Sequence, residues 1–270
     1  RSPENNAFIK DDNTPTFRWS TVSDPWGINY TIQIDNDPNF SPPAYEKSNI
    51  VDNWHEPPLE NALRDGIWYW RVRAIDKAGN AGPWSSMWRF TLDMNPPSIE
   101  NLKPENNSYM KDNRPLISAI VRDAGSGIDN NTIRLTLDNI VKSHTYYPEN
   151  GQVKFQEALT EGRHEVKLSV SDKAGNSRSV AWSFVVDTIP PAASSLRLPE
   201  NNAFIKDDNT PTFRWSTVSD PWGINYTIQI DNDSSFSPPV YEKSNIVDNW
   251  HEPPQENALR DGVWYWRVRA

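Results

Sequence analysis

A chain of 270 residues with no cysteine and a formal charge of −9 leaves no room for a disulfide framework or a thiol nucleophile. With 36 acidic against 27 basic residues it disfavours a nucleic-acid partner, and no apolar run reaches the ~18 residues needed to enter a membrane. Thirteen tryptophans, and 23 prolines against 11 glycines, suit an all-β chain with many proline-bearing turns.

In chain order, the stretch Pro3 to Ile9 predicts a short edge strand, and Thr16 to Ser20 a strand with Phe17 and Trp19 on one face. Asp24-Pro25-Trp26-Gly27 reads as a loop. Tyr30, Ile32 and Ile34 alternate with Thr31 and Gln33 in a third strand that stops at Asp35-Asn36-Asp37-Pro38. Ala44 to Ile50 and Val51 to His55 predict short strands before Pro57-Pro58. From Gly66 to Asp76 the alternation is plainest: Trp68, Trp70, Val72 and Ala74 share one face, and Tyr69, Arg71 and Arg73 the other. Ala78-Gly79-Asn80 then supplies a turn tolerant of positive φ. Trp84, Trp88 and Phe90 mark the last strand of the set.

The Gly66 pattern returns at Gly162 and Gly262, steps of 96 and 100 residues, each the size of a β-sandwich of about a hundred residues. Three domains are expected, at 1–95, 96–189 and 190–270, with the paired prolines of Asp93-Met94-Asn95-Pro96-Pro97 and Asp187-Thr188-Ile189-Pro190-Pro191 as short, semi-rigid joints. Residues 199–270 repeat residues 3–74 with five differences in 72 positions: Pro38/Ser234, Asn39/Ser235, Ala44/Val240, Leu59/Gln255 and Ile67/Val263. The repeating unit is therefore a pair of domains. The sequence stops at Ala270, before any counterpart of Ile75 to Asp93, so the third domain lacks its last strand and the segment reads as an excerpt of a longer array.

The first and third domains resemble fibronectin type III domains. The cues are Trp19 in the second strand, Tyr30 in the third, Leu63 ahead of an aromatic-x-aromatic-x-Val-x-Ala strand, and Gly82 to Ser85 as a Gly-x-Trp-Ser segment. Trp68 stands where that family usually carries a corner tyrosine, so the tyrosine's hydrogen bond is left open, and no Arg-Gly-Asp is present. The second domain is similar to bacterial and archaeal Ig-like modules through Gly125-Ser126-Gly127-Ile128-Asp129 and Asp172-Lys173-Ala174-Gly175-Asn176. The resemblance implies tandem β-sandwiches of a repetitive cell-surface or secreted protein.

No catalytic residues are expected. The four histidines (His55, His144, His164 and His251) form no metal-ligand spacing, and His164 takes an aromatic's place at a sandwich corner. The acidic pairs Asp11-Asp12, Asp35/Asp37 and Asp123/Asp129 lie in turn contexts where aspartate caps backbone. No organic cofactor is implied. Calcium is the sharper idea, with Asp35, Asp37, Asp231 and Asp233 in Asp-Asn-Asp loops and Asp93 and Asp187 at the joints. Trp26, Trp54, Trp84, Trp222 and Trp250 are candidate sugar-stacking faces. The expected role is a non-catalytic spacer on the cell surface or outside the cell, its partners the neighbouring repeats; three domains in line would span about 100 Å. The alternative is an adhesin or glycan-binding region of a secreted enzyme, with a cell-surface glycan or protein as partner.

Overall fold

The Gly66–Asp76 alternation forms the central strand of the first of three β-sandwiches in the computed structural model, which describes residues 1–270. That sandwich contains β1 (Ala7–Ile9), β2 (Phe17–Arg18), β3 (Ile28–Asp35), β4 (Tyr45–Ile50), β5 (Trp54–His55), β6 (Gly66–Asp76) and β7 (Trp88–Leu92). A five-stranded sheet of order β1-β7-β6-β3-β4 faces the β2-β5 pair. Strand β6 runs antiparallel to β3, from Ile28 opposite Asp76 to Asp35 opposite Tyr69, and its other edge pairs with β7. Trp70 and Val72 turn inward onto Phe17, Trp19, Tyr30, Ile32, Ile34, Phe90 and Leu92. Arg71 and Arg73 turn outward, and both guanidinium groups lie over the ring of Trp84. Trp84 is thus not part of the last strand, which begins at Trp88: Pro83 precedes it, and it serves as a lid on the outer face of β6.

The corner bond left open by Trp68 is made after all. The Trp68 indole Nε1–H donates to the Arg64 carbonyl at 2.7 Å, four residues upstream. A longer side chain with one donor replaces the tyrosine hydroxyl.

The second sandwich has β8 (Ser98–Lys103), β9 (Ser108–Met110), β10 (Ile117–Arg122), β11 (Ile128–Leu137), β12 (Ile140–Lys142), β13 (Thr145–Tyr147), β14 (Gln152–Phe155), β15 (Gly162–Asp172) and β16 (Ser177–Val186). Sheets of order β13-β14-β10-β8 and β12-β11-β15-β16-β9 enclose an aliphatic core around Trp182 and Phe184. His164 occupies the corner: its Nε2 lies 2.9 Å from the Thr160 carbonyl and its Nδ1 2.7 Å from the Asp138 carboxylate. The imidazole reaches the carbonyl four residues upstream, as Trp68 does.

The chain divides into two compact units, Arg1–Thr188 and Ile189–Ala270. The first holds both sandwiches just described, each with its own core. The second unit contains β17 (Leu196–Leu198), β18 (Phe213–Trp215), β19 (Tyr226–Asp231), β20 (Tyr241–Ile246), β21 (Trp250–His251) and β22 (Tyr265–Arg269), in sheets β17-β18-β21 and β20-β19-β22. The corner bond recurs from Trp264 to the Arg260 carbonyl at 2.8 Å. The two copies differ at their edges: residues 203–205 form no strand, and Phe204 is fully exposed where its counterpart Phe8 is 44% exposed. Strand β22 keeps five residues of the eleven in β6.

Candidate functional site

The densest polar constellation lies where the first sandwich hands over to the second. Leu92 ends β7 and Ser98 begins β8, and Asp93, the first residue between them, is 1% exposed. Its N–H donates to the Ile9 carbonyl at 2.9 Å, holding it to the first sandwich. Its carboxylate accepts from the Ser126 N–H at 2.6 Å and from the Asn95 N–H at 3.2 Å. Its carbonyl accepts from the Asn176 amide at 2.8 Å. The second sandwich supplies these donors from two loops, Asp123 to Gly127 before β11 and Lys173 to Asn176 after β15. Beside them, Lys10 Nζ donates to the Gly175 carbonyl at 2.9 Å, and Asp65 accepts from the Met94 N–H and from the Asn95 side chain.

Local turn chemistry sets the loops. Asp172 accepts from the N–H and the side-chain amide of Asn176, at 2.9 and 2.8 Å, closing the Asp-Lys-Ala-Gly-Asn turn. One Asn176 amide therefore bridges Asp172 to the Asp93 carbonyl. Asp123 accepts from the Gly125 and Gly127 N–H groups at 3.1 and 2.7 Å, and Gly127 takes φ +83°, a left-handed backbone that L side chains rarely adopt. At Gly125 a Cβ would overlap the Asp93 carboxylate, so any larger residue must displace it.

Asp93, Asp123 and Asp172 thereby place carboxylate oxygens within 4.8 Å of one another. Burial first, and then the charges of Asp93 and Asp172, hold the Asp123 carboxyl above its ordinary range, outweighing its backbone hydrogen bonds. An open cleft of about 1110 Å³ adjoins the cluster, with Asp65, Asn95, Asn130, Tyr146, Glu149 and Lys173 among its walls.

Of the aspartates proposed from sequence as calcium ligands, the structure brings only Asp93 into this group. Asp35 accepts from the Asp37 N–H at 3.3 Å and Asp37 from the Asn39 N–H at 2.9 Å; Asp231 and Asp233 repeat this with Asp233 and Ser235. These carboxylates cap their own loops. The Asp187 N–H donates to Met110, which ties that residue to the end of β9. Nothing local in the sequence links Asp93 with Asp123 and Asp172, which lie 30 and 49 residues apart in turn (123 − 93 and 172 − 123).

The tryptophans are scattered in environment. Trp26 is 79% exposed at its loop tip, Trp54 is partly covered by the Arg18 guanidinium, and Trp84 is clamped by Arg71 and Arg73. Trp222 and Trp250 occupy the corresponding loop and strand of the second unit. Next to Trp54, the His55 Nε2 lies 2.6 Å from the Tyr45 hydroxyl, and its pKa is lowered by burial and then by Lys47. His251 and Tyr241 repeat the pair at 2.7 Å.

Residues 103–188, nearly all of the second sandwich, match the family model of the bacterial Ig-like domain. The second sandwich is thus similar to a bacterial Ig-like domain, set in a tandem of β-sandwiches. Among solved structures it is similar to the fibronectin(III)-like modules of Clostridium thermocellum CbhA, at 13% identity over 69% of this chain and 92% of that one, with a TM-score of 0.36. It is also similar to titin domains A168–A170, at 11% identity over 99% and 90% of the two chains, with a TM-score of 0.46. A segment of a 1.5-MDa bacterial ice-binding adhesin aligns at 12% identity over 86% and 76%, with a TM-score of 0.31. No curated protein matches the chain by sequence.

Proposed function

We propose that this tandem is a non-catalytic spacer in a cell-surface or extracellular protein, with neighbouring repeats of the same chain as its partners. The observation that carries the reading is the repeat: a two-sandwich unit begins again after 196 residues with five changes in 72, and each sandwich has a separate core. Near-identical copies separated by a dissimilar domain keep like strands apart while a longer reach is built. Single-molecule stretching tests this. The first two sandwiches should rupture as discrete events, each releasing about 30 nm, the extended length of some ninety residues at ~3.4 Å each. A chain that extends without discrete ruptures counts against a tensile role. Saturable glycan binding lost in Trp26→Ala would favour the adhesin reading instead.

A second reading concerns calcium, favoured by the three converging carboxylates at Asp93, Asp123 and Asp172. These are hard oxygen donors of the kind Ca²⁺ takes, and a dication would offset their mutual repulsion. The sign for Asp123 follows from its raised pKa: the folded state holds this proton more tightly than the unfolded chain. The associated stability is full in acid and is lost as pH rises through the folded value. In EDTA, melting of the first unit should therefore gain from Asp123→Asn at pH 7. Millimolar Ca²⁺ should raise the parent's melting temperature and leave the variant's where it was. A parent indifferent to Ca²⁺ removes the cation from the account.

A further inference from the structure

Most of the hydrogen bonds across the first joint involve one residue. Asp93 is anchored to β1 through its N–H, and it gives its carboxylate to Ser126 and its carbonyl to Asn176. We infer that Asp93 is a latch that locks the first two sandwiches into one rigid body, and that the socket receiving it belongs to the Ig-like loop alone. The inference deepens the spacer reading and rests on it only for its purpose.

The socket is made of an N–H aimed at the carboxylate, an amide bridging two backbones, and the missing side chain at Gly125. Ser126 is buried and its hydroxyl is tied to the Ala174 N–H at 3.1 Å, so the N–H that meets Asp93 is held in place from behind. Without its acceptor, that buried donor would be left unpaired.

The fibronectin-like sandwich offers the same position without the socket. Ile28 lies opposite Asp76 as Ile128 lies opposite Asp172, and Gly27 and Gly127, at φ +88° and +83°, sit beneath Lys77 and Lys173. Yet there the Trp26 N–H is taken by Asp24 Oδ1 at 2.9 Å and the Gly27 N–H by the Asp24 carbonyl at 3.1 Å. In the second unit the Trp222 N–H is taken likewise by Asp220 at 2.8 Å. Trp26 thus replaces Ser126 with a donor already used and a side chain too bulky for the gap. An aspartate entering an Ig-like loop is latched, and one entering a fibronectin-like loop meets no free N–H of this kind.

The test uses the full chain, which has no cysteine to interfere. Lys47→Cys and Lys167→Cys, both exposed, take spin labels on the first and second sandwiches, and the distance distribution between them is measured in EDTA. The parent should give one narrow distribution, and Asp93→Ala should at least double its width. Gly125→Ala should do the same from the other side, leaving every residue of the first sandwich unchanged. If Asp93→Ala melts the first sandwich, Gly125→Ala decides alone. A parent already broad, or a Gly125→Ala distribution as narrow as the parent's, overturns the latch. The stretching signature of the spacer survives either outcome, so the two readings fail separately.

Discussion

In a polypeptide cut at Ala270, backbone amides in residues 199–270 will exchange with solvent about 10²–10⁴ times faster than their counterparts in residues 3–74, although the two stretches differ at five positions. The cause is β7. In the first sandwich it buries Phe90 and Leu92 completely, and each such side chain is worth ~1.5–3 kcal/mol. Losing both costs the copy about 3–6 kcal/mol, and each ~1.4 kcal/mol is a tenfold change in the opening equilibrium. The lost pairing adds to this: β22 has one hydrogen-bonded neighbour, β19, whereas β6 has two, β3 and β7. Mass spectrometry can separate the copies, because peptides containing Leu59 or Gln255, or Ile67 or Val263, differ in composition or in fragment masses. Equal exchange in the two copies would mean that β7 contributes little, and that the core of Phe17, Trp19 and Tyr30 is sufficient by itself.

The parts of this fold that were legible in the sequence are those governed by a short period. Trp70 and Val72 face in and Arg71 and Arg73 face out because a strand alternates sides, whatever lies around it. The corner is half legible: the repeat places Trp68 and His164 at it, but the bond each makes to the carbonyl four residues back depends on side-chain reach, which strand periodicity does not report. Trp84 misled because it sits four residues before Trp88 and shares its character, while its true neighbours, Arg71 and Arg73, come from a different strand. The Asp-Asn-Asp loops show the opposite case. Asp35 and Asp37 look like a ligand run, yet each satisfies an N–H two residues on, the commonest local use of aspartate in a turn. The real convergence of Asp93, Asp123 and Asp172 depends on two sandwiches meeting, which only the folded chain displays.

Phe17→Ala will be among the most damaging single substitutions in the first sandwich, costing about 3–5 kcal/mol. Phe17 is fully buried on the small β2-β5 sheet, and its ring meets Trp70 and Phe90 of the facing sheet edge-on, with centroids 5.4 and 5.8 Å apart. Each such aromatic pair adds ~0.5–1.5 kcal/mol beyond the area it buries, and alanine forfeits both while leaving a void between the sheets. Domains of this size are stable by about 5–15 kcal/mol, so the loss is a large share of the whole. Phe213, the counterpart, meets Trp266 at 5.1 Å but has no partner in the place of Phe90. In the polypeptide cut at Ala270, Phe213→Ala should therefore cost less than Phe17→Ala, yet it should unfold its unit more completely, because that unit begins with less stability to lose. Denaturant titrations of the two variants, with exchange at Ile32 and Ile228 as local reporters, check the order. A Phe17→Ala cost below that of Phe213→Ala would show that the edge-on stack does not carry the packing between the sheets.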